Sequence, residues 1–242
     1  MTTPATFAVC PHDTAKGFDK WAFFNTLVNK SIELKSRFCP CLNFAEFTKA
    51  LEGEELLWAY FNPADYIKAR SRFGYSAIAR PVNRADIARI VGPVASPAQS
   101  IEGIAGTRLA AVNGYLFFVA RKALIDRGIP FEHVPAKSYA DVMGLLENGQ
   151  ADYGVTYNEH FDVLVPGTKS RFREIHSFEM GLSHVVAVHP SMPEEARRRL
   201  TELLRGPTDS PERRRILDTL GFEAFDEPPT APFEALAAIL AG

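Results

Sequence analysis

Short apolar runs alternate with polar turns along this 242-residue chain, and four of the turns have the composition of helix starts. The turns are Pro11-His12-Asp13, Tyr60-Phe61-Asn62-Pro63, Asn113-Gly114-Tyr115 and Tyr157-Asn158-Glu159. A strand that ends where a helix begins leaves backbone N–H groups and a positive dipole end at that edge of the sheet. Open α/β sheets bind ligands at the carboxyl ends of their strands, so the pattern predicts a ligand-binding cleft.

The first 80 residues predict a βαβαβ unit, which is typical of a parallel, doubly wound sheet. Apolar runs predict strands at 7–10, 38–42, 56–60 and 75–80, with a helix from about residue 18 between the first two. Asn43 and Glu46 form a capping-box pair before the second helix. Asn62, Pro63 and Asp65 supply an N-cap, an N1 proline and a first-turn acid for the third.

A second α/β unit is predicted from about Asn83 onward. Its expected strands are 86–91, 107–112, 131–134 and 152–156. One expected helix runs from Tyr115 to about residue 127 and is ended by Gly128, and another runs from Ser138 to about residue 148. A strand at 185–188 and helices at 193–204, 211–220 and 232–240 follow. We expect this tail to return to the first unit. The expected lobes are therefore 1–82 plus 184–242, and an inserted 83–183, joined by two crossovers that form a hinge beside the cleft.

Composition excludes several classes of partner. Hydrophobic residues make up 46% of the chain, charged residues 23%, and the net charge is −2. This balance gives no electrostatic reason to bind nucleic acid, and no run of about 20 apolar residues predicts membrane insertion. The first six residues lack a basic, apolar leader, so the chain as written predicts a cytoplasmic protein, or a periplasmic one if a leader has been removed.

The three cysteines, Cys10, Cys39 and Cys41, do not suit a disulfide framework. Together they offer three thiolates to zinc, but no histidine or fourth cysteine has a ligand-like spacing. We expect buried reduced thiols, no metal and no cofactor. Pro40 lacks an N–H group and predicts an edge position for the second strand, beside the first strand and Cys10, in the strand order 2-1-3.

Several segments in order resemble the phosphate/phosphonate-type substrate-binding proteins of ABC transporters. The segments are Leu57–Tyr66 followed by Phe73-Gly74-Tyr75 and Ala79-Arg80-Pro81, Gly106–Ala110 with Gly114-Tyr115-Leu116, Leu145–Asp152, and Val186–Pro190. The resemblance implies a two-lobed type II periplasmic-binding-protein fold that closes on a small anionic ligand. It also implies an ABC permease or a signalling partner. The family's oxyanion site corresponds to residues 112–115, where phosphonate binders carry a Ser/Thr-rich run that this chain lacks.

The candidate ligand-binding residues all follow predicted strand ends. They are His12, Asp13, Tyr60, Asn62, Asn113, Gly114, Tyr115, Tyr157, Asn158 and Glu159. Most of them also have a structural reading. Asn62 could be a pure helix cap, Tyr60 and Tyr157 half-buried core residues, and Asn113-Gly114 a simple turn. His12 and Asp13 could simply close their turn, and Glu159 could suit the helix dipole.

A non-catalytic binding protein is the favoured function, for solute capture or sensing. The alternative is a cytoplasmic enzyme on the same fold, of the type that acts in menaquinone or thiamine-precursor pathways. An enzyme would need a positioned acid–base pair, for which only His12 with Asp13 or Glu159 with His160 is available. Neighbours in an extended segment point to opposite faces, so neither pair acts together if extended.

Overall fold

The computed structural model describes residues 6–207 and 210–241 and forms two compact units. The first unit comprises the chain up to Arg84 together with Ser183–Thr230, and the second comprises Ala85–Leu182 together with the chain from Ala231 onward. Residues 1–5, on which the expectation about a leader rests, lie outside the described part.

Strands and helices alternate through most of the described chain. In chain order they are β1 (Thr6–Val9), α1 (Pro11–Ile32), β2 (Arg37–Cys39), α2 (Phe44–Glu52), β3 (Leu56–Phe61), α3 (Pro63–Phe73), β4 (Ser76–Pro81), β5 (Ala88–Pro93), β6 (Thr107–Val112), α4 (Tyr115–Asp126), β7 (Phe131–Ala136), α5 (Tyr139–Glu147), β8 (Tyr153–Tyr157), α6 (Asn158–Asp162), α7 (Pro166–Lys169), β9 (Phe172–Phe178), β10 (Val185–Val188), α8 (Glu194–Arg205), α9 (Pro211–Leu220), β11 (Phe225–Asp226) and α10 (Thr230–Ala241). A 3₁₀ turn at Ile101–Ile104 precedes β6.

The sheet of the first unit has the strand order β11-β4-β10-β3-β1-β2. β1 is parallel to both β2 and β3, with Ala8 opposite Cys39, so the predicted 2-1-3 order and the edge position of β2 are confirmed. β10 lies between β3 and β4 and runs antiparallel to both, which makes the sheet mixed. Every residue of β3 is buried, and the Trp58 ring stacks on Phe7 with centroids 3.8 Å apart. Helices α1, α8 and α9 cover this core.

The first helix begins earlier than the apolar spacing predicted. Pro11 occupies its first turn, and the helical geometry is interrupted at Gly17, whose φ is 176°. The expected start at about residue 18 therefore marks the second part of α1. The helix start at Asn62 matches the sequence prediction: its side-chain oxygen accepts a hydrogen bond from the Asp65 N–H at 2.9 Å.

The sheet of the second unit has the strand order β7-β6-β8-β5-β9. β7, β6 and β8 are parallel to one another, and β5 is antiparallel to both β8 and β9. Helix α5 packs on this sheet through Val142 and Leu146 in a core that also contains Phe161 and Phe172. The edge strand β9 was not predicted from the sequence.

The last helix groups with the second unit, whereas the predicted lobes assigned the whole of 184–242 to the first. Phe233 and Leu236 of α10 are buried. A Cβ on Gly181, the residue before Leu182, would lie 3.6 Å from Pro232 Cγ. Among the described residues, the helices are all too short or too polar to cross a membrane.

Candidate functional site

Two clusters of polar and aromatic side chains lie at strand ends, one in each unit. In the first unit, β1 and β3 end at the edge where the antiparallel β10 begins. Cys10, Asp13 and His184 converge there. The thiol sulfur, a carboxylate oxygen and an imidazole nitrogen all lie within 4.8 Å of one another, and His184 Nε2 is 3.3 Å from Asp13 Oδ2. Cys10 is fully buried, whereas Asp13 and His184 are half-buried.

A stack of aromatic rings holds this cluster in place. The His184 ring stacks on Tyr60 with centroids 5.3 Å apart and planes inclined by 26°. Tyr60 in turn lies 4.8 Å from the ring of Trp21. Trp21 Nε1 donates a hydrogen bond to the main-chain oxygen of Asp13 at 3.1 Å. The predicted site residues Asp13 and Tyr60 therefore belong to one local structure, and Tyr60 is buried within it.

Asn62 uses its side-chain amide within the fold. Its Nδ2 donates to Asp65 Oδ2 at 2.6 Å and points at Cys10 Sγ at 3.6 Å, while its oxygen caps α3. Burial raises the pKa of the Asp65 carboxyl, and the hydrogen bond from Asn62 opposes that rise. Asn62 is therefore a helix cap, as its structural reading predicted, and it also contacts the Cys10 thiol of the cluster.

His12 lies outside the cluster. It is exposed in the first turn of α1, and its ring meets the ring of Phe44 edge-on with centroids 4.9 Å apart. Successive residues of a helix point about 100° apart, so His12 and Asp13 diverge and do not form an acid–base pair.

In the second unit, three parallel strands end at one edge, and each is followed by a helix. β7, β6 and β8 lead into α5, α4 and α6. Asn113 and Gly114 fill the turn between β6 and α4, where Asn113 is exposed and Gly114 and Tyr115 are half-buried. The geometry of this turn is extended, with φ −157° and ψ 173° at Gly114, so the position does not require glycine.

The start of α4 differs chemically from the starts of α2, α3 and α5. Those three helices are capped by the side chains of Asn43, Asn62 and Ser138 and carry an acidic residue in the first turn. In α4 the N-cap is Gly114, which offers no side chain, and the first turn has no acidic residue. The first turn of a helix lacks intrahelical acceptors and carries about half a positive charge. An anion is therefore compatible with this end of α4.

Aromatic side chains extend across the end of β6. The rings of Tyr139, which follows β7, and Tyr157, at the end of β8, have centroids 4.8 Å apart. His160 lies beside both, 5.8 Å from Tyr139 and 6.1 Å from Tyr157. Because β6 lies between β7 and β8, rings that meet from the two outer strands must reach over the end of β6, which leads to Asn113.

The other two predicted residues at this edge have different environments. The Asn158 side chain is bound to the main chain: its oxygen accepts from the Ile87 N–H at 3.1 Å, and its nitrogen donates to the Ala85 oxygen at 3.0 Å. Asn158 therefore fastens the segment before β5. Glu159 is half-buried in the first turn of α6, where a negative charge suits the helix dipole.

Several residues of the two clusters are absent from the predicted set of ligand-binding residues. Tyr139 follows the Ser138 cap after an apolar run, which is the same pattern that marked the other helix starts. Tyr139 could therefore have been predicted from the sequence as a residue at a strand end. Asp65 was predicted only as a first-turn acid, and Cys10 only as a buried thiol. His184 had no local signal, because its partners are brought to it by the pairing of β10 with β3.

The other two cysteines are free and lie near each other, at the end of β2 and just after it. Burial raises the pKa of the Cys41 thiol to about 12, and the neighbouring Cys39 adds to the rise. A thiol with such a pKa is protonated at neutral pH, which fits the buried, reduced thiol predicted for Cys41. Cys39 is only half-buried, so the prediction of burial is wrong for that residue.

The fold matches that of type II periplasmic-binding-protein structures. It is similar to XAC2383 from Xanthomonas citri bound to chloride ion, with 15% identity, a TM-score of 0.77, and coverage of 99% of this chain and 98% of that chain. It is also similar to PhnD1 from Prochlorococcus marinus in complex with methylphosphonate, with 12% identity, a TM-score of 0.75, and coverage of 98% and 97%. The periplasmic aliphatic sulphonate binding protein SsuA from Escherichia coli gives 11% identity, a TM-score of 0.65, and coverage of 100% and 87%.

The family follows from the sequence itself. A family model described as "ABC transporter, phosphonate, periplasmic substrate-binding protein" matches residues 7–231. The chain belongs to this family of ligand-binding proteins, as its sequence resemblance indicated. No curated protein matches the sequence at a significant level.

Proposed function

We propose that this protein captures a small anionic solute of the phosphonate, phosphate or sulfonate class for an ABC permease, and that it acts in the periplasm as its family does. The observation that carries the proposal is the start of α4. Gly114 leaves this helix end without a side-chain cap or a first-turn acid, at the edge where Tyr139 and Tyr157 meet. Methylphosphonate and chloride, which two structural relatives hold, are both anions, and this supports the charge of the ligand.

The chemistry of the second-unit edge suits such a solute. Main-chain N–H groups at a helix start bind oxyanion oxygens without a cationic side chain. The chain offers these N–H groups at residues 112–115, although it lacks the Ser/Thr-rich run that phosphonate binders carry at the corresponding place. The tyrosine rings offer apolar faces and hydroxyl groups, which suit a ligand with a short organic substituent.

A first experiment identifies the anion. Thermal unfolding is measured with methylphosphonate, inorganic phosphate and an aliphatic sulfonate, and the arginine cation serves as a control. A ligand present at 100 times its Kd stabilises the folded state by about 2.7 kcal/mol. We expect at least one of the anions to raise Tm and arginine to leave it unchanged. An unchanged Tm with every anion, confirmed by calorimetric titration without heat of binding, would remove the proposal.

A second experiment places the site, by comparing Gly114→Asp with Gly114→Asn. The two side chains have the same size, and a Cβ at this position meets nothing within 4 Å, so both variants should fold. A carboxylate about 4 Å from the bound anion repels it by about 1–4 kcal/mol, between the limits of water and a protein surface. We therefore expect Gly114→Asp to weaken binding at least about fivefold more than Gly114→Asn does. Equal affinities for the two variants would place the anion elsewhere.

A further inference from the structure

The Cys10–Asp13–His184 cluster combines three different metal-ligating groups in one small volume. Cys10 follows β1 and is the N-cap residue of α1, Asp13 lies in the first turn of that helix, and His184 immediately precedes β10. The pairing of β1 with β3 and of β3 with β10 brings these distant positions to one edge. The ligand atoms lie within 4.8 Å of one another.

The spacing suits a tetrahedral transition-metal ion. Zinc binds thiolate sulfur at about 2.3 Å and imidazole nitrogen or carboxylate oxygen at about 2.0–2.2 Å, so neighbouring ligand atoms in a tetrahedron lie about 3.3–3.6 Å apart. His184 Nε2 and Asp13 Oδ2 are already 3.3 Å apart. The sulfur lies within 4.8 Å of both other ligand atoms, so it has to approach them by at most about 1.5 Å to complete this geometry.

The surroundings fix each ligand. The amide of Asn62 points at Cys10 Sγ at 3.6 Å, the His184 ring stacks on Tyr60, and Trp21 donates to the main chain of Asp13. Groups that orient the ligands in this way raise the affinity of a metal site.

We propose that Cys10, Asp13 and His184 form a binding site for a divalent transition metal such as Zn²⁺, with a fourth position open to water or to an added ligand. The same residue types also occur in thiol nucleophiles, but Cys10 is completely buried and a nucleophile needs access to its substrate. The simpler alternative is a small buried thiol beside an Asp13–His184 contact of 3.3 Å. The metal site does not depend on the proposed anion site, which lies on the other unit.

The test uses metal ions alone. The purified full chain is treated with a chelator, which is then removed, and is titrated with Co²⁺ and with Zn²⁺ in competition with a chromogenic chelator. We expect one equivalent to bind and Co²⁺ to show the absorption of thiolate ligation. Cys10→Ser and His184→Gln remove a ligand directly. Each should weaken binding by at least about tenfold, because the loss of an orienting group alone costs about 10–100-fold.

Matched substitutions serve as controls. Cys39→Ser changes a thiol outside the cluster, and His12→Gln changes the exposed histidine that precedes Asp13 in the chain. Both should bind metal like the parent chain. Asp13→Asn, at a half-buried position, provides a third ligand variant whose fold is checked by circular dichroism. The proposal is overturned if the parent chain binds no equivalent of metal, or if His12→Gln or Cys39→Ser loses binding while the ligand variants keep it.

Discussion

A buried hydrogen-bond network around Ser36 gives a sharp prediction about stability. The Ser36 hydroxyl donates to Asn25 Oδ1 at 2.7 Å, within reach of Asn29 Oδ1 as well, and accepts from Trp58 Nε1 at 3.0 Å. Ser36, Asn25 and Trp58 are 6%, 5% and 0% exposed. The network joins the end of α1 to the central strand β3.

Ser36→Ala should lower the free energy of unfolding by about 2–6 kcal/mol. The substitution leaves Trp58 Nε1 without its acceptor and Asn25 Oδ1 without its donor, and each such buried group costs about 1–3 kcal/mol. Asn29 Oδ1 keeps its hydrogen bond from the Ser36 main-chain N–H at 3.1 Å, so it adds nothing to the cost. Urea unfolding followed by far-UV circular dichroism measures the change.

A double-mutant cycle with Trp58→Phe isolates the indole–hydroxyl bond. In the Trp58→Phe background the indole N–H group is absent, so Ser36→Ala should cost about 1–2 kcal/mol less than in the parent chain. Ser71→Ala is the matched control, because Ser71 is exposed on α3 and alanine favours a helix. A cost below about 0.5 kcal/mol for Ser36→Ala, or a coupling energy near zero, would refute the reasoning.

Two further predictions concern His189 and Gly154. Burial lowers the pKa of His189 from its ordinary value of 6.5, so the unfolded chain takes up a proton more readily than the folded chain. The free energy of unfolding should therefore fall as pH drops below about 6.5. His189→Asn keeps an acceptor for the Ser191 N–H and should lose less stability than the parent chain between pH 7 and pH 5. Identical pH profiles for parent and variant would contradict this. Gly154→Ala would place a Cβ 2.4 Å from Val142 Cγ1 and should destabilise by about 1–3 kcal/mol, with Val142→Ala restoring part of the loss in the double variant. If the loss of unfolding free energy in the double variant equals the sum of the losses in the two single variants, the steric explanation is wrong.

Local chemistry made much of the fold predictable. The caps at Asn43, Asn62 and Ser138 are found where the sequence placed them, because the signal and its hydrogen bond lie within three residues of each other. The edge strand β9 escaped prediction because its burial does not alternate along Phe172–Phe178. A strand with one sheet neighbour, β5, does not need a regular apolar face.

The candidate sites divide in the same way. Tyr60, Asn62 and Gly114 follow from strand–helix junctions that can be read locally. His184 and Asp13 meet only because β10 enters the sheet beside β3, and the spacing of residues along the chain carries no trace of that contact. The sequence argument against a metal used spacing alone, and it therefore considered Cys10 only with the other cysteines.

The position of β10 also sets the order in which this protein can be made. β10 lies between β3 and β4, which do not pair with each other, and it follows Ala85–Leu182 of the second unit in the chain. After β4 has been synthesised, the ribosome must translate residues 85–188 before β10 can fill the place between β3 and β4. This takes about 5–20 s at about 5–20 residues per second. During that interval β3 and β4 each have an edge that lacks its partner β10 and can pair with other nascent chains, although both strands are largely buried in the folded protein. Early holding by a chaperone should therefore matter more to the yield of this protein than to that of a chain whose sheets are completed in order.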